Sequence, residues 1–127
     1  MPQPERDAAA AHAWAEFARS ATDHDLSMLY IENVYDRAYR GSKAVVSLYG
    51  DGPSASNDAW FWWEHVQPGS VVAVRLSKGW GSHTRRDGVL YIGNGGTTDQ
   101  SGIYATFGAR ELTQAQRHFQ QQGIAGP

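Results

Sequence analysis

The middle of the chain, residues 26–107, consists of about six short runs rich in aromatic and β-branched residues, with no helical periodicity between them. Turn residues, such as those at 40–42 and 67–69, separate the runs. Parallel strands need a long crossover connection, usually a helix, so this order favours antiparallel pairing. Short antiparallel strands often close on themselves. The sequence therefore predicts a small antiparallel β-barrel or a strongly curled sheet.

One helix is predicted before these strands and another after them. Residues 4–22 place apolar side chains, including Trp14, at spacings of three and four along one stripe. Near the other end of the chain, Thr113 with Gln116 three residues later has the spacing of a capping box. Gly123 is a typical residue for the end of that second helix. The predicted fold class is α+β, with the two helices flanking the sheet.

Length and composition exclude several classes of site. A chain of 127 residues fits a single domain, predicted here to span residues 1–127. The sequence contains no cysteine, which excludes disulfides, thiol nucleophiles and thiolate metal ligands. The nearby carboxylates Asp51, Asp58 and Glu64 do not have the spacing of a known metal motif. We expect neither a metal nor a cofactor.

Charge and hydropathy limit the partners. The formal net charge is −2, whereas nucleic-acid-binding proteins usually have a basic excess. Contact with nucleic acid is therefore expected only through a local basic patch. No segment approaches the roughly 20 apolar residues of a membrane span, and the first residues lack the features of a signal peptide. We expect a cytoplasmic protein without membrane contact.

The densest motif in the sequence is an aromatic run near the middle of the chain. It consists of Trp60, Phe61, Trp62, Trp63, Glu64 and His65. Alternate side chains of a strand point to opposite faces, so Trp60 and Trp62 share one face. We expect one of these two rings to face the barrel interior, against Trp14 of the first helix. Phe61 and Trp63 would then lie on the outer face, as a binding platform or a homodimer interface.

The loop at residues 78–87 is the main predicted binding site. It places an indole ring between two glycines, which let backbone N–H groups approach a ligand. Its arginines match carboxylate or phosphate oxygens, and its tryptophan can stack on flat groups or cations. The predicted ligand-binding residues are Lys78, Trp80, His83, Arg85, Arg86 and Trp63. These residues indicate a non-catalytic binding module for a protein, a peptide or an anionic small molecule.

A second basic segment surrounds the first turn of the predicted sheet. It contains Arg37, Arg40 and Lys43. If Arg75 and the two arginines of the loop lie beside this segment, they form one positive face on an acidic protein. Such a face would attract an anionic partner from a distance.

Two other functions fit the same residue types. A metal-independent ribonuclease would use His83 as the base and Glu64 as the acid. Arg85 and Arg86 would then stabilise the negative charge on the phosphate. An interaction or inhibitory protein of a mobile genetic element would act through its surface alone, with no catalytic residue.

Overall fold

The computed structural model describes residues 2–49, 56–75, 85–86, 89–93 and 102–123. The helices are α1 (Gln3–Asp23) and α2 (Ala109–Gln122). The strands are β1 (Ser27–Ala38), β2 (Gly41–Leu48), β3 (Asn57–Trp62), β4 (Val71–Val74), β5 (Arg85–Arg86), β6 (Val89–Ile92) and β7 (Ile103–Phe107). No helix in these ranges is both long enough and apolar enough to cross a bilayer.

Within the described residues, six longer strands and the two-residue β5 form one sheet, in the order β5-β6-β3-β2-β1-β4-β7. The sheet is strongly curled into a half-barrel, with a helix from each end of the chain against it. The α+β class and the curled sheet are thus confirmed. The sheet is mixed, because β3 and β6 pair in parallel while the other pairs are antiparallel. Residues 63–88, which include β4 and β5, connect β3 to β6 and are long enough for a crossover between parallel strands.

Two irregularities in β1 account for much of the curl. The register of β1 with β2 shifts between Ile31 and Asn33 and again between Val34 and Asp36. Each shift leaves one extra residue in β1, first Glu32 and then Tyr35. Such bulges bend the strand that contains them and increase its twist. The 12-residue β1 can therefore follow the bend of the sheet from the helices to the far end of the hairpin.

The inner face of the half-barrel forms the larger core. Its buried side chains come mainly from five consecutive strands, from β6 to β4 in the sheet order, so the sheet must wrap around them. They are Leu29, Ile31, Ala44, Val46, Ala59, Phe61, Val66, Val72, Val74, Leu90 and Ile92. The valine, leucine, isoleucine and phenylalanine side chains among them each contribute about 1.5–3 kcal/mol when fully buried. Because this core draws on five of the strands, it fixes the closure of the sheet.

A second core lies between the helices and the outer face of the sheet. Trp14 is at its centre, with ring centroids 5.3 Å from Tyr49 and 5.2 Å from Phe107, both edge-on. Val71 of β4 points to this side, whereas Val72 next to it belongs to the inner core, as strand alternation requires. The apolar stripe predicted for the first helix is therefore confirmed, but its partners are Tyr49 and Phe107.

The beginning of α2 differs from the prediction. The helix starts at Ala109 with Gly108 as its N-cap, and the backbone N–H of Leu112 donates to the Gly108 carbonyl at 2.9 Å. Thr113 lies inside the helix, where its hydroxyl donates to the Ala109 carbonyl at 3.1 Å. A Ser/Thr–x–x–Gln spacing also occurs within helices, because a hydroxyl there can bond the carbonyl four residues earlier. Gly123 ends the helix in the left-handed conformation, as predicted.

A buried ion pair joins the two helices. Asp7 of α1 is 1% exposed, and its Oδ2 lies 3.2 Å from Nε of Arg117 on α2. The other oxygen, Oδ1, is buried and has no hydrogen-bond partner among the described atoms. Among the described residues, Arg117 is thus the partner that compensates the negative charge of Asp7.

We expect Arg117→Met to lower the free energy of unfolding by about 1–3 kcal/mol, because it leaves a buried carboxylate without its partner. The double variant Asp7→Leu/Arg117→Met should recover most of that loss, since apolar groups can replace a buried pair. Urea unfolding of both variants measures this, with Arg110→Met, an exposed arginine on the same helix, as the control. A double variant no more stable than Arg117→Met would contradict it.

Candidate binding surface

The structure locates only part of the site predicted from the loop. Lys78, Trp80 and His83 lie outside the described residues. Arg85 and Arg86 form β5, whose backbone pairs with β6. Since β6 in turn pairs with β3, the end of the predicted loop is only one strand away from the aromatic run.

Trp60, Phe61 and Trp62 face the opposite way from the prediction, whereas Trp63 lies on the outer side as predicted. Phe61 is fully buried in the inner core, while Trp60 and Trp62 are half-buried on the outer side of β3. In the register with β2, Ala59 lies across from Ala44, and both are inside. The concave side of the curled sheet is filled by aliphatic side chains and one phenyl ring. The indole rings are placed on the convex side, where the strands diverge.

On this convex side, the Trp62 ring contacts the rings of both Trp60 and Trp63. Trp60 and Trp62 lie edge-on at 5.4 Å, and Trp62 and Trp63 lie tilted at 6.1 Å between centroids. Trp60 crosses the backbone of Gly41, where an added Cβ would lie 3.0 Å from its Cζ2. The Trp60 Nε1 is buried with no partner among the described atoms, so packing holds this ring in place.

Tyr35 and Lys43 extend this aromatic surface across β1 and β2. The Tyr35 hydroxyl donates to Oδ1 of Asp58 at 2.9 Å, and Lys43 Nζ lies 5.9 Å from the Tyr35 ring centroid. Partial burial, together with the hydrogen bond and charge of Asp58, raises the pKa of Tyr35 above its usual value. The hydroxyl therefore remains a donor at neutral pH. We call the surface formed by Trp60, Trp62, Trp63, Tyr35 and Lys43 the tryptophan face.

Trp63 has an unusual backbone conformation for a bulky residue. Its φ is 66°, in the left-handed region that usually requires glycine. Its N–H donates to the carbonyl of Arg40 at 2.7 Å, in the turn between β1 and β2. Strained residues of this kind persist only where surrounding contacts hold them, and they cluster at functional sites. Glycine would adopt this backbone conformation with less strain than Trp63 does.

Further hydrogen bonds tie the segment after β3 to the same hairpin. Nε2 of His65 lies 2.8 Å from the carbonyl oxygen of Ala38. The buried hydroxyl of Ser42 donates to the Glu64 carbonyl at 2.7 Å and accepts from the Val66 N–H at 3.3 Å. Residues 63–66 and the hairpin tip therefore form one connected unit beside the tryptophan face.

Arg75 does not lie beside the basic segment of Arg37, Arg40 and Lys43, as a single positive face would require. The side chains of Arg85 and Arg86, its other possible members, lie outside the described residues. Arg75 follows β4, whose Val74 pairs with Ser27 at the beginning of β1. Its guanidinium contacts the ring of Tyr104 at 5.5 Å and the His24 carbonyl at 3.3 Å. Arg37 lies ten residues beyond Ser27 on β1, roughly 30 Å along the strand at about 3.3 Å per residue. The long β1 thus separates the two basic groups, because it spans the whole sheet.

A small cavity of about 180 Å³ lies at the Arg75 end, between the last turn of α1 and β7. It is lined by Phe17, Ser20, Ala21, His24, Leu26, Ala73, Tyr104 and Ala105. The described residues contain no group of three side chains able to hold a metal ion.

Sequence patterns missed Tyr35 and Tyr39 as surface residues. The available signal was a tyrosine in a hairpin turn, where glycine, asparagine or aspartate is usual.

Comparison with known proteins gave no relative: no family model, no curated protein and no solved structure matches this chain. The proposed function therefore rests on the surface of this chain alone.

We expect Gly41→Ala to destabilise the protein by roughly 3 kcal/mol, because the new methyl group would overlap the carbonyl oxygen of Phe61 and press on Trp60. Gly123→Ala is the control: its φ is also positive, but the added Cβ meets nothing within 4 Å, so only about 1 kcal/mol should be lost. Urea unfolding followed by tryptophan fluorescence compares the two. Equal losses would show that the packing of Trp60 over Gly41 is unimportant.

Proposed function

We propose that this protein is a non-catalytic binding module for another protein or peptide, and that the tryptophan face is the centre of its contact surface. The observation that carries the proposal is the cluster of three touching, half-buried indole rings on the convex side of β3. Tryptophan, tyrosine and arginine contribute most of the binding energy in many interfaces. Loop 78–87, which ends at the neighbouring β5, would extend the surface.

The position of the helices supports this proposal. The helices contact the outer side of the sheet through Met28, Tyr30, Tyr49, Val71 and Phe107, all in the core around Trp14. Neither this core nor the inner core includes the three tryptophans among its described members. The helices therefore do not pack against the three indole rings. The exposed area of these rings is available to a partner.

The two other functions stay predictions. The ribonuclease hypothesis depends on His83, which lies outside the described residues. Of its proposed residues, Glu64 is half-buried beside Trp63, and its backbone carbonyl accepts from Ser42. A role as an interaction or inhibitory protein of a mobile genetic element is compatible with the same binding surface. It requires no structural feature beyond that surface.

We expect Trp62→Thr and Trp63→Gly each to reduce partner recovery at least tenfold, because truncating a central interface ring commonly costs about 2 kcal/mol or more. Threonine suits a strand, and glycine suits the backbone of Trp63, so both variants should fold. The measurement is quantitative affinity purification from cells of the source organism. Trp80→Ala tests the contribution of the loop in the same way.

Tyr104→Thr is the matched control, since this tyrosine is 61% exposed on β7, the strand at the opposite edge of the sheet from β5. Circular dichroism establishes that each variant is folded. Folded variants of Trp62, Trp63 and Trp80 that recover the same partners as the wild type would refute the proposal.

A further inference from the structure

The hairpin tip between β1 and β2 contains an aromatic side chain that the fold does not use. Residues 35–40 are all exposed, and Tyr39 is 92% exposed. Tyr39 and Arg40 occupy the two-residue turn between the paired residues Ala38 and Gly41. Neither residue has a positive φ, and the unusual backbone angle falls on Gly41, so this turn accepts most residue types. The turn geometry therefore does not require an aromatic side chain at position 39.

The charges at the tip differ from those of the whole chain. Arg37 and Arg40 are exposed, and no ion pair to either guanidinium is found among the described residues. Asp36 lies across from Lys43 in the β1–β2 register, so these two charges offset each other. The adjoining segment 63–66 adds one carboxylate, that of Glu64. The tip is thus locally positive on a protein whose net charge is −2.

The tip is also held in place before any partner binds. The Arg40 carbonyl accepts from the Trp63 N–H at 2.7 Å, and the Ala38 carbonyl lies 2.8 Å from His65 Nε2. These contacts connect the turn to the tryptophan face. A preorganised surface loses less conformational entropy on binding than a flexible loop.

From this arrangement we infer that the hairpin tip binds an acidic segment of a protein partner, with Tyr39 as the aromatic anchor and Arg37 and Arg40 as the carboxylate-binding groups. Guanidinium groups bind carboxylates through paired, charge-assisted hydrogen bonds. An exposed tyrosine provides a large contact area at low entropic cost. The inference rests on the proposed binding function and adds the chemistry of the partner to it.

The surroundings of the tip favour an acidic peptide over a nucleic acid. A nucleic-acid strand that continued from the tip along the tryptophan face would pass Asp58, which repels phosphates. Asp58 is fixed on that face by its hydrogen bond with Tyr35. Two arginines alone release few counterions, so phosphate contacts would give little affinity. A short acidic segment can place its carboxylates at the tip and avoid Asp58.

The test is selection of random linear peptides, displayed on phage, against the immobilised full-length protein. We expect selected peptides to contain an excess of Asp and Glu over the unselected library. The double variant Arg37→Glu/Arg40→Glu should bind the synthetic peptides at least about tenfold more weakly, and added salt should weaken wild-type binding. Tyr39→Ala should also weaken binding, while Tyr39→Phe should retain most of it. Peptides with Lys in place of Asp and Glu should bind the double variant better than the wild type.

Arg75→Glu is the matched control, because this arginine lies at the opposite end of β1 and should leave binding unchanged. Selected peptides without an acidic excess, or with equal affinity for the double variant, would overturn the inference. So would a labelled oligothymidine strand that outcompetes the peptides for the tip, which would assign the site to nucleic acid.

The outcomes also separate this inference from the proposed function. Peptides that depend on Trp62 and Trp63 but not on Arg37 and Arg40 refute the acidic partner and leave the binding module standing. A selection that recovers no peptide refutes the acidic linear segment, and affinity purification then decides the proposed function independently.

Discussion

The narrow interior of the curled sheet is the constraint on which the rest of the structure depends. The two bulges in β1 bend the sheet strongly, and the enclosed space holds aliphatic side chains, among them Ala44 and Ala59, together with the single ring of Phe61. Protein interiors are close-packed, so side chains that fill this space leave the indole rings of β3 on its other face. The curl therefore fills the core with aliphatic residues and at the same time places the tryptophans on the surface.

The convex side of the sheet is divided into two parts with different roles. The helices cover one part around Trp14, and the Asp7–Arg117 pair joins them to each other. The other part holds the tryptophan face, which the Trp63–Arg40 hydrogen bond connects to the hairpin tip. The helices stabilise the sheet without covering its aromatic surface. A rigid aromatic patch next to a positive tip is an arrangement suited to protein recognition.

Local sequence patterns predicted the elements but not how they come together. The stripe containing Trp14 and the strand at Val89–Ile92 follow from the periodicity of apolar residues. The start of α2 was misplaced, because Thr113 has the spacing of a cap while its hydroxyl bonds within the helix. The parallel β3–β6 pair was missed, because pairing depends on where the long connection returns to the sheet, and no local propensity specifies that.

The sequence by itself determined an α+β fold with a helix at each end, and it divided each strand into two alternating sets of side chains. It could not decide which set of the aromatic run faces inward, since both sets are apolar. Only the curl and the β2–β3 register decided that Phe61 is buried and Trp60 and Trp62 face outward. The separation of Arg37 from Arg75 was likewise decided by strand pairing. Both outcomes depend on contacts between residues distant in the chain, which are fixed when the sheet closes on its core.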